Sequence, residues 1–490
     1  MFRRAAAKLA TATLLLPVPA AAHGFGRLYN LPVPFWMYAW AATAALLLSF
    51  MVVAIFSTAR PTADVDSARD VSAAGWVRAL RRLSPGLKLF SVFLLLLCIA
   101  TALFGNRDPF RNFSMTFFWV CFGLLFTYLT AVLGNFYAAL NPWRTLADGV
   151  GRLRRGFGAG RLAYPEALGD WPALALFLGF IWFELFNHGR PSTLGAVLLA
   201  YTALNLAGSW LIGAAAWFRH CEIFSVFFRL AAQLAPLDYR RAEPPGSVST
   251  LRLRSAFSGL TQERPKTLAT VVFLLAMLST TAFDGLRATQ WWVNLFWADP
   301  TGVFTAIVGQ RPIHAYASLR PWYIGWETFW LLASPFLYLG TYLAFLWLAK
   351  VMAHSRRSVG ELALDFAYPL LPIALAYNLT HYATLVLTQG LKIVSLSSDP
   401  FGWGWNLLGS AGMFRAPILP AIGWVWHTQV GIILAGHVLS VYAAHRVALR
   451  VFSTRRSALL SQLPMLGLMV LLTVAGLWIL AQPLTAELLR

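Results

Sequence analysis

Along the chain, long apolar runs alternate with short polar segments rich in arginine. A helix that crosses a bilayer takes about 20 apolar residues. Runs of that kind lie near 35–57, 87–104, 115–139, 171–187, 193–217, 267–284, 324–349, 366–390, 421–444 and 462–482. They predict an all-α fold, a polytopic membrane helical bundle of about ten transmembrane helices. Two connections are longer than turns. In "FRHCEIFSVFFRLAAQL", which opens the loop 218–266, Ile223, Phe224, Phe227, Phe228, Ala231 and Leu234 share one helical face. Glu222, Arg229 and Gln233 point elsewhere, so the pattern predicts an amphipathic helix in the membrane interface, followed by a Pro- and Arg-rich linker. The loop 285–323 carries "TQWWVNLFWADP", too polar to span and rich in tryptophan. It reads either as a surface helix or lid over the mouth of the bundle, or as an aromatic belt.

Composition agrees with that picture. Of 490 residues, 58% are hydrophobic and only 12% charged, with a mean hydropathy of +0.62. A soluble chain of this size covers its surface with more charge. The formal net charge of +20 suggests nucleic acid at first sight, but the basic residues are sorted by loop. With a start outside the membrane, the inward segments hold 26 of the 39 Lys and Arg, Lys88 counted with the first loop. The outward segments hold 10, and the remaining 3 lie at the N-terminus. That is the positive-inside pattern obeyed along the chain, and it predicts both mature termini outside, on the periplasmic side. The charge serves orientation and contact with the lipid bilayer, and no nucleic-acid partner is implied. Cys98, Cys121 and Cys221 fall in apolar runs or an inward loop, so no disulfide framework is expected.

The N-terminus, "MFRRAAAKLATATLLLPVPAAAHGFG", has a basic head, a short apolar core and an A-x-A site ending at Ala22. It predicts a cleaved signal peptide over 1–22 and a single membrane domain over 23–490, an uncleaved anchor being the alternative. Cleavage would leave His23 as the first residue. Its amine and imidazole together form a pair suited to copper.

Titratable residues at membrane depth are costly and face a cavity or a partner. Counting 1.5 Å of rise per residue, Glu184 lies roughly 5 Å from the outer surface, His381 about 13 Å and His427 about 9 Å. His188 and Asp284 lie close to that surface, and Glu327 is roughly 5 Å in. His437 is deeper, at about 24 Å, too far along the axis from His427 to share one ion with it. His354 and His445 belong at the inner surface. Asp284 ends a helix and can pair with Arg287. The expected site is therefore an outward-facing polar cavity built by the helices carrying Glu184, Asp284, Glu327, His381 and His427. In it His381 and His427 bind a divalent metal ion or act as general base, with Asp284 and Glu184 as ligands or supporting partners. The same residues also suit a transporter of a small solute, and His381 with His427 would suit a haem between two helices. No G-x-S-x-G elbow, H-E-x-x-H, paired-cysteine zinc motif, P-loop or dinucleotide fingerprint occurs. "GVGRLRRGFGAG" (149–160) follows no strand and reads as a solvated loop.

Seven stretches occur in order: "AHGFGRLYNLPVPFWMYAW" (22–40), "NPWRTL" (141–146), "AFDGL" (282–286), "LPIALAYNLTHYATLVLTQG" (371–390), "SDPFGWGW" (398–405), "HTQVGIILAGHVLSVYAAHR" (427–446) and "SQLPMLGLMVLLTVAGLWIL" (461–480). Together they resemble bacterial multi-spanning membrane proteins labelled fenitrothion hydrolase, over essentially the whole mature chain. The resemblance implies an organophosphorus ester hydrolase of the inner membrane, acting on a small hydrophobic substrate by cleaving a phosphotriester-type P–O bond. It carries no catalytic residues over to this chain.

Overall fold

Each of the ten apolar runs forms a helix long and apolar enough to cross a bilayer. The computed structural model describes residues 34–57, 68–186, 189–240, 249–414, 416, 418 and 421–482. The signal peptide predicted over 1–22, His23 and His188 lie outside the described residues. The long helices are α1 (Phe35–Phe56), α2 (Gly75–Phe104), α3 (Phe113–Leu133), α4 (Trp171–Phe186) and α5 (Pro191–Ile212). They continue as α6 (Leu268–Arg287), α7 (Tyr316–Met352), α8 (Leu371–Gln389), α9 (Ile422–Val451) and α10 (Arg455–Ala481). Many large apolar side chains face outward, among them Trp40, Phe56, Leu89 and Trp424. In an all-helical bundle that outer surface is the one lipid solvates. The protein is a polytopic membrane helical bundle.

Helix ends depart from the apolar runs for local reasons. α2 starts well before residue 87 and carries Arg78, Arg81 and Arg82 in its opening turns; Arg81 donates to the Ser249 carbonyl at 2.7 Å. α3 stops at Leu133 because Gly134 takes φ 127°, in the region that favours glycine. A Cβ there would lie 2.5 Å from the Leu237 carbonyl oxygen. α7 continues through Pro321 and Pro335 for 37 residues. Beside its start, the tryptophan-rich segment folds into the short helices Gln290–Trp297 and Val303–Val308, packed on Tyr323 and Trp326.

One small sheet marks one face of the bundle. Strands β1 (Arg69–Asp70), β2 (Leu237–Arg240) and β3 (Thr250–Leu253) pair antiparallel in the order β1-β3-β2. The connections after α1 and α5 thus meet, as an alternating bundle requires. Asp365, beyond α7, pairs on this face with Arg264 at 2.9 Å and Arg357 at 2.6 Å.

The interfacial helix expected at 218–266 is instead buried in protein. Over Ile223–Ala231, Ile223, Phe224, Val226, Phe228, Leu230 and Ala231 are all 6% exposed or less. Val226 and Leu230 make the nominally polar face apolar, and a helix that is hydrophobic all round goes inside. Glu222, expected to point away, is fully buried at its N-terminus. It accepts from the Phe224 and Ser225 amides (3.1 and 2.7 Å), Tyr201 (2.6 Å), Tyr137 (3.3 Å) and Asn141 (3.1 Å). Burial pushes its carboxyl above the ordinary range, while the hydrogen bonds from Ser225 and Tyr201 pull it down.

α6 is the centre of the bundle: every residue from Ala269 to Gly285 is buried. α8 packs beside it, and α9 presses on α8 where Gly436 faces Pro372 and Ala376. A Cβ at Gly436 would lie 2.5 Å from Ala376 Cβ and 2.8 Å from the Pro372 carbonyl oxygen. Gly436→Ala is expected to cost about 1–3 kcal/mol of stability by overpacking. A lower thermal midpoint in detergent checks this; an unchanged midpoint would show that the helices do not approach so closely.

Candidate functional site

Asp284 lies near the end of α6 on the face away from the sheet. Its Oδ2 sits 2.8 Å from His381 Nε2 and accepts from the Tyr382 hydroxyl at 3.1 Å. With Nε2 protonated, the imidazole and the phenol both donate to one carboxylate oxygen. One turn back on α8, Asn378 accepts at Oδ1 from the Tyr128 hydroxyl (3.1 Å) and donates to Thr281 Oγ1 (3.5 Å). Thr281 and Asp284 are three residues apart on α6, so two layers of polar contacts join α6 to α8.

A cavity of about 710 Å³ opens among α3, α4, α6 and α8. Its wall includes Trp119, Glu184, Thr281, Asp284, Asn378 and Tyr382, and the buried helix supplies Phe224 and Phe228 as apolar floor. Over Thr116–Leu125, α3 is π-helical; the Phe126 amide reaches back five residues to the Cys121 carbonyl. π-helical turns are rare and frequent at functional sites. Here the segment brings Trp119, Gly123 and Leu124 to the cavity. Glu184 reaches the wall from α4, half-buried, with no hydrogen bond or ion pair among the described residues.

Asp284 and His381 meet as expected. Asp284 is on the cavity wall, whereas His381 lies behind it, against Gly285 and parallel to the Tyr377 ring at 6.4 Å. At about 100° per residue, Asn378, Tyr382, Leu385 and Gln389 form one stripe of α8, and His381 sits at its edge. His381 therefore contacts the carboxylate rather than the cavity.

His427 does not join the site, which corrects the expectation. Gln429 donates to the Thr380 carbonyl at 2.8 Å, so that side of α9 faces α8. Two residues earlier is about 200° round the helix. His427 is accordingly exposed, its ring 6.2 Å from that of Tyr38 on α1. The ligand set of His381, His427 and Asp284 is not assembled, nor is a haem bridge between the two histidines. Among the described residues no three His, Cys, Asp or Glu side chains converge on a point that would hold a metal ion.

The other titratable residues have structural partners. Glu327, expected at the membrane interface, is 3% exposed and pairs with Arg287 through two contacts, 3.1 and 3.3 Å. Arg287 therefore crosses to α7, and the adjacent Asp284 is not its ion-pair partner among the described contacts. His437 bonds the Ile433 carbonyl of its own helix at 2.8 Å. His445 bridges Gln462 and the Ser57 carbonyl, and His354 ends α7 with φ 49°.

The fold and the site define a class: a many-spanning helical membrane protein with a carboxylate–imidazole–phenol cluster beside an intramembrane cavity. Comparison of the chain with models of known families, with curated proteins and with solved structures gives no match.

Proposed function

We propose that this protein is a membrane-embedded hydrolase of small apolar esters, with Asp284 as general base. The carrying observation is that carboxylate, held on Oδ2 by His381 and Tyr382 at the wall of an apolar cavity. A carboxylate so fixed can take a proton from water without reorganising. The resemblance supplies the substrate class, neutral phosphotriesters. Water attacks phosphorus, its proton passes to Asp284, and the P–O bond to the leaving group breaks. Glu184, facing the same cavity, gives the departing oxygen its proton, and exchange between the two carboxyls restores the start. The positive-inside pattern and the resemblance support a cavity in the periplasmic half of a bacterial inner membrane.

Purified protein assayed with a panel of chromogenic neutral phosphotriesters tests the reading. Turnover is expected from the parent and, at a similar rate, from His427→Ala. Loss of activity in His427→Ala would discard the site as drawn. A second reading, proton-coupled transport of a small apolar solute, is favoured by the Glu184 carboxyl, which has no hydrogen bond or ion pair among the described residues. Proton-dependent uptake into liposomes without ester turnover would select it.

A further inference from the structure

A second cavity, of about 800 Å³, lies beside the first and shares Trp119, Leu124 and Glu184 with it. We propose that the two are one route to Asp284, entered from the face away from the sheet, and that Trp119 is the size-selecting side chain at its neck. The proposal rests on geometry and stands whether the cluster hydrolyses or transports its ligand.

Three observations fix the direction. Pro109 and Phe110 follow α2, Gly189 and Arg190 follow α4, and Gln389 ends α8; all line the second cavity, and all lie on the face opposite the sheet. The stripe of α8 runs through both spaces: Asn378 and Tyr382 border the inner cavity, Leu385 and Gln389 the outer one. The far end of the inner cavity is closed by the buried helix, whose first turn is tied by the contacts to Glu222. Among the described residues, the route has a mouth on the face away from the sheet and a floor at the buried helix.

The neck has its own chemistry. Trp119 stands on the π-helical segment and stacks on Phe180 and Phe183 of α4, centroids 5.4 and 6.1 Å away. Its indole is half-buried and belongs to both walls. Glu184 shares that position. Beyond it the outer wall is apolar (Met115, Val120, Leu194, Leu385), with Arg190 exposed at the mouth. Such a vestibule admits a slender apolar molecule and leaves a guanidinium where an anion would emerge. An anionic ester fragment, the product class of phosphotriester hydrolysis, would meet Arg190 on leaving.

Cysteine accessibility tests the route without needing an activity. In a chain with Cys98, Cys121 and Cys221 replaced by serine, Asn378→Cys reports the inner cavity and Leu385→Cys the outer one. Sealed vesicles of both orientations are treated with small and bulky methanethiosulfonates. Asn378→Cys is expected to react only from the face bearing Arg190, with the bulky reagent slower than the small one by about tenfold. Adding Trp119→Ala should bring the two rates together at Asn378→Cys and leave the Leu385→Cys rates unchanged. The Leu385→Cys rates also verify folding, and Trp119→Leu replaces Trp119→Ala if they change. Labelling of Asn378→Cys from the sheet face, or a size ratio unmoved in a folded Trp119 variant, overturns the proposal.

Discussion

Glu327→Leu is expected to destabilise the protein by about 3–5 kcal/mol, the usual consequence of leaving a buried charge without its partner. Glu327 and Arg287 are both nearly inaccessible, and the two contacts between them are a carboxylate–guanidinium fork. Arg287 also donates to the Leu185 carbonyl at 3.0 Å and lies over the Phe186 ring at 4.7 Å. It thereby ties α4, α6 and α7 together one turn beyond Asp284. Removing the acid leaves the buried guanidinium over the Phe186 ring without its carboxylate. The double variant Arg287→Met/Glu327→Leu removes both charges and should recover most of the loss, since an apolar pair of similar volume often replaces a buried ion pair without penalty. Thermal inactivation half-lives in detergent give the ordering: parent and double variant close together, the single variant far shorter. A double variant no more stable than the single one would mean that Arg287 contributes through Leu185 and Phe186 rather than through the pair.

What the chain discloses before folding is set by the range of each interaction. Hydropathy is local, so every apolar run appears as a helix. Helix ends depend on single residues and on contacts far away: Gly134 stops α3 beside Leu237, about a hundred positions on. The helix at 223–231 is buried rather than interfacial because Val226 and Leu230 make the side away from its apolar stripe apolar too. Within the site, depth along an axis was readable and rotation about it was not. His381 and His427 were placed at similar heights, but only Gln429, by reaching Thr380, shows which way α9 is turned. Asp284 and His381 are 97 positions apart, and nothing in spacing pairs them. Tyr128 and Trp119 carry no signal of their own in a run of aromatics where each resembles its neighbours. The spacing of Asn378, Tyr382, Leu385 and Gln389 along one face of α8 was a usable signal, since polar groups recurring on a helical stripe mark a wetted side.

Asp284→Asn is expected to lower ester turnover by about 10²–10⁴-fold, the contribution of a positioned general base. The amide keeps the size of the carboxylate and still accepts from Tyr382, so packing should change little. With the amide oxygen at the Oδ2 position it also still accepts from His381, but it cannot take a proton from water. His381→Gln should cost less, roughly 10–100-fold, the range for removing a partner that orients rather than reacts. Tyr382→Phe, which leaves one donor on the same oxygen, should cost less again. This ordering separates the two assignments of the pair. If His381 were the base and Asp284 its support, the histidine variant would be the more damaged, and Asp284→Asn would retain measurable turnover. The cavity wall argues for the first ordering: Asp284 and Glu184 line the cavity, whereas His381 is not among its lining residues. Circular dichroism and thermal midpoints of the three variants must match the parent, because a collapse of the α6–α8 contact would also abolish turnover. With that control in place, equal losses in Asp284→Asn and Tyr382→Phe would make the carboxylate structural and remove it from the reaction.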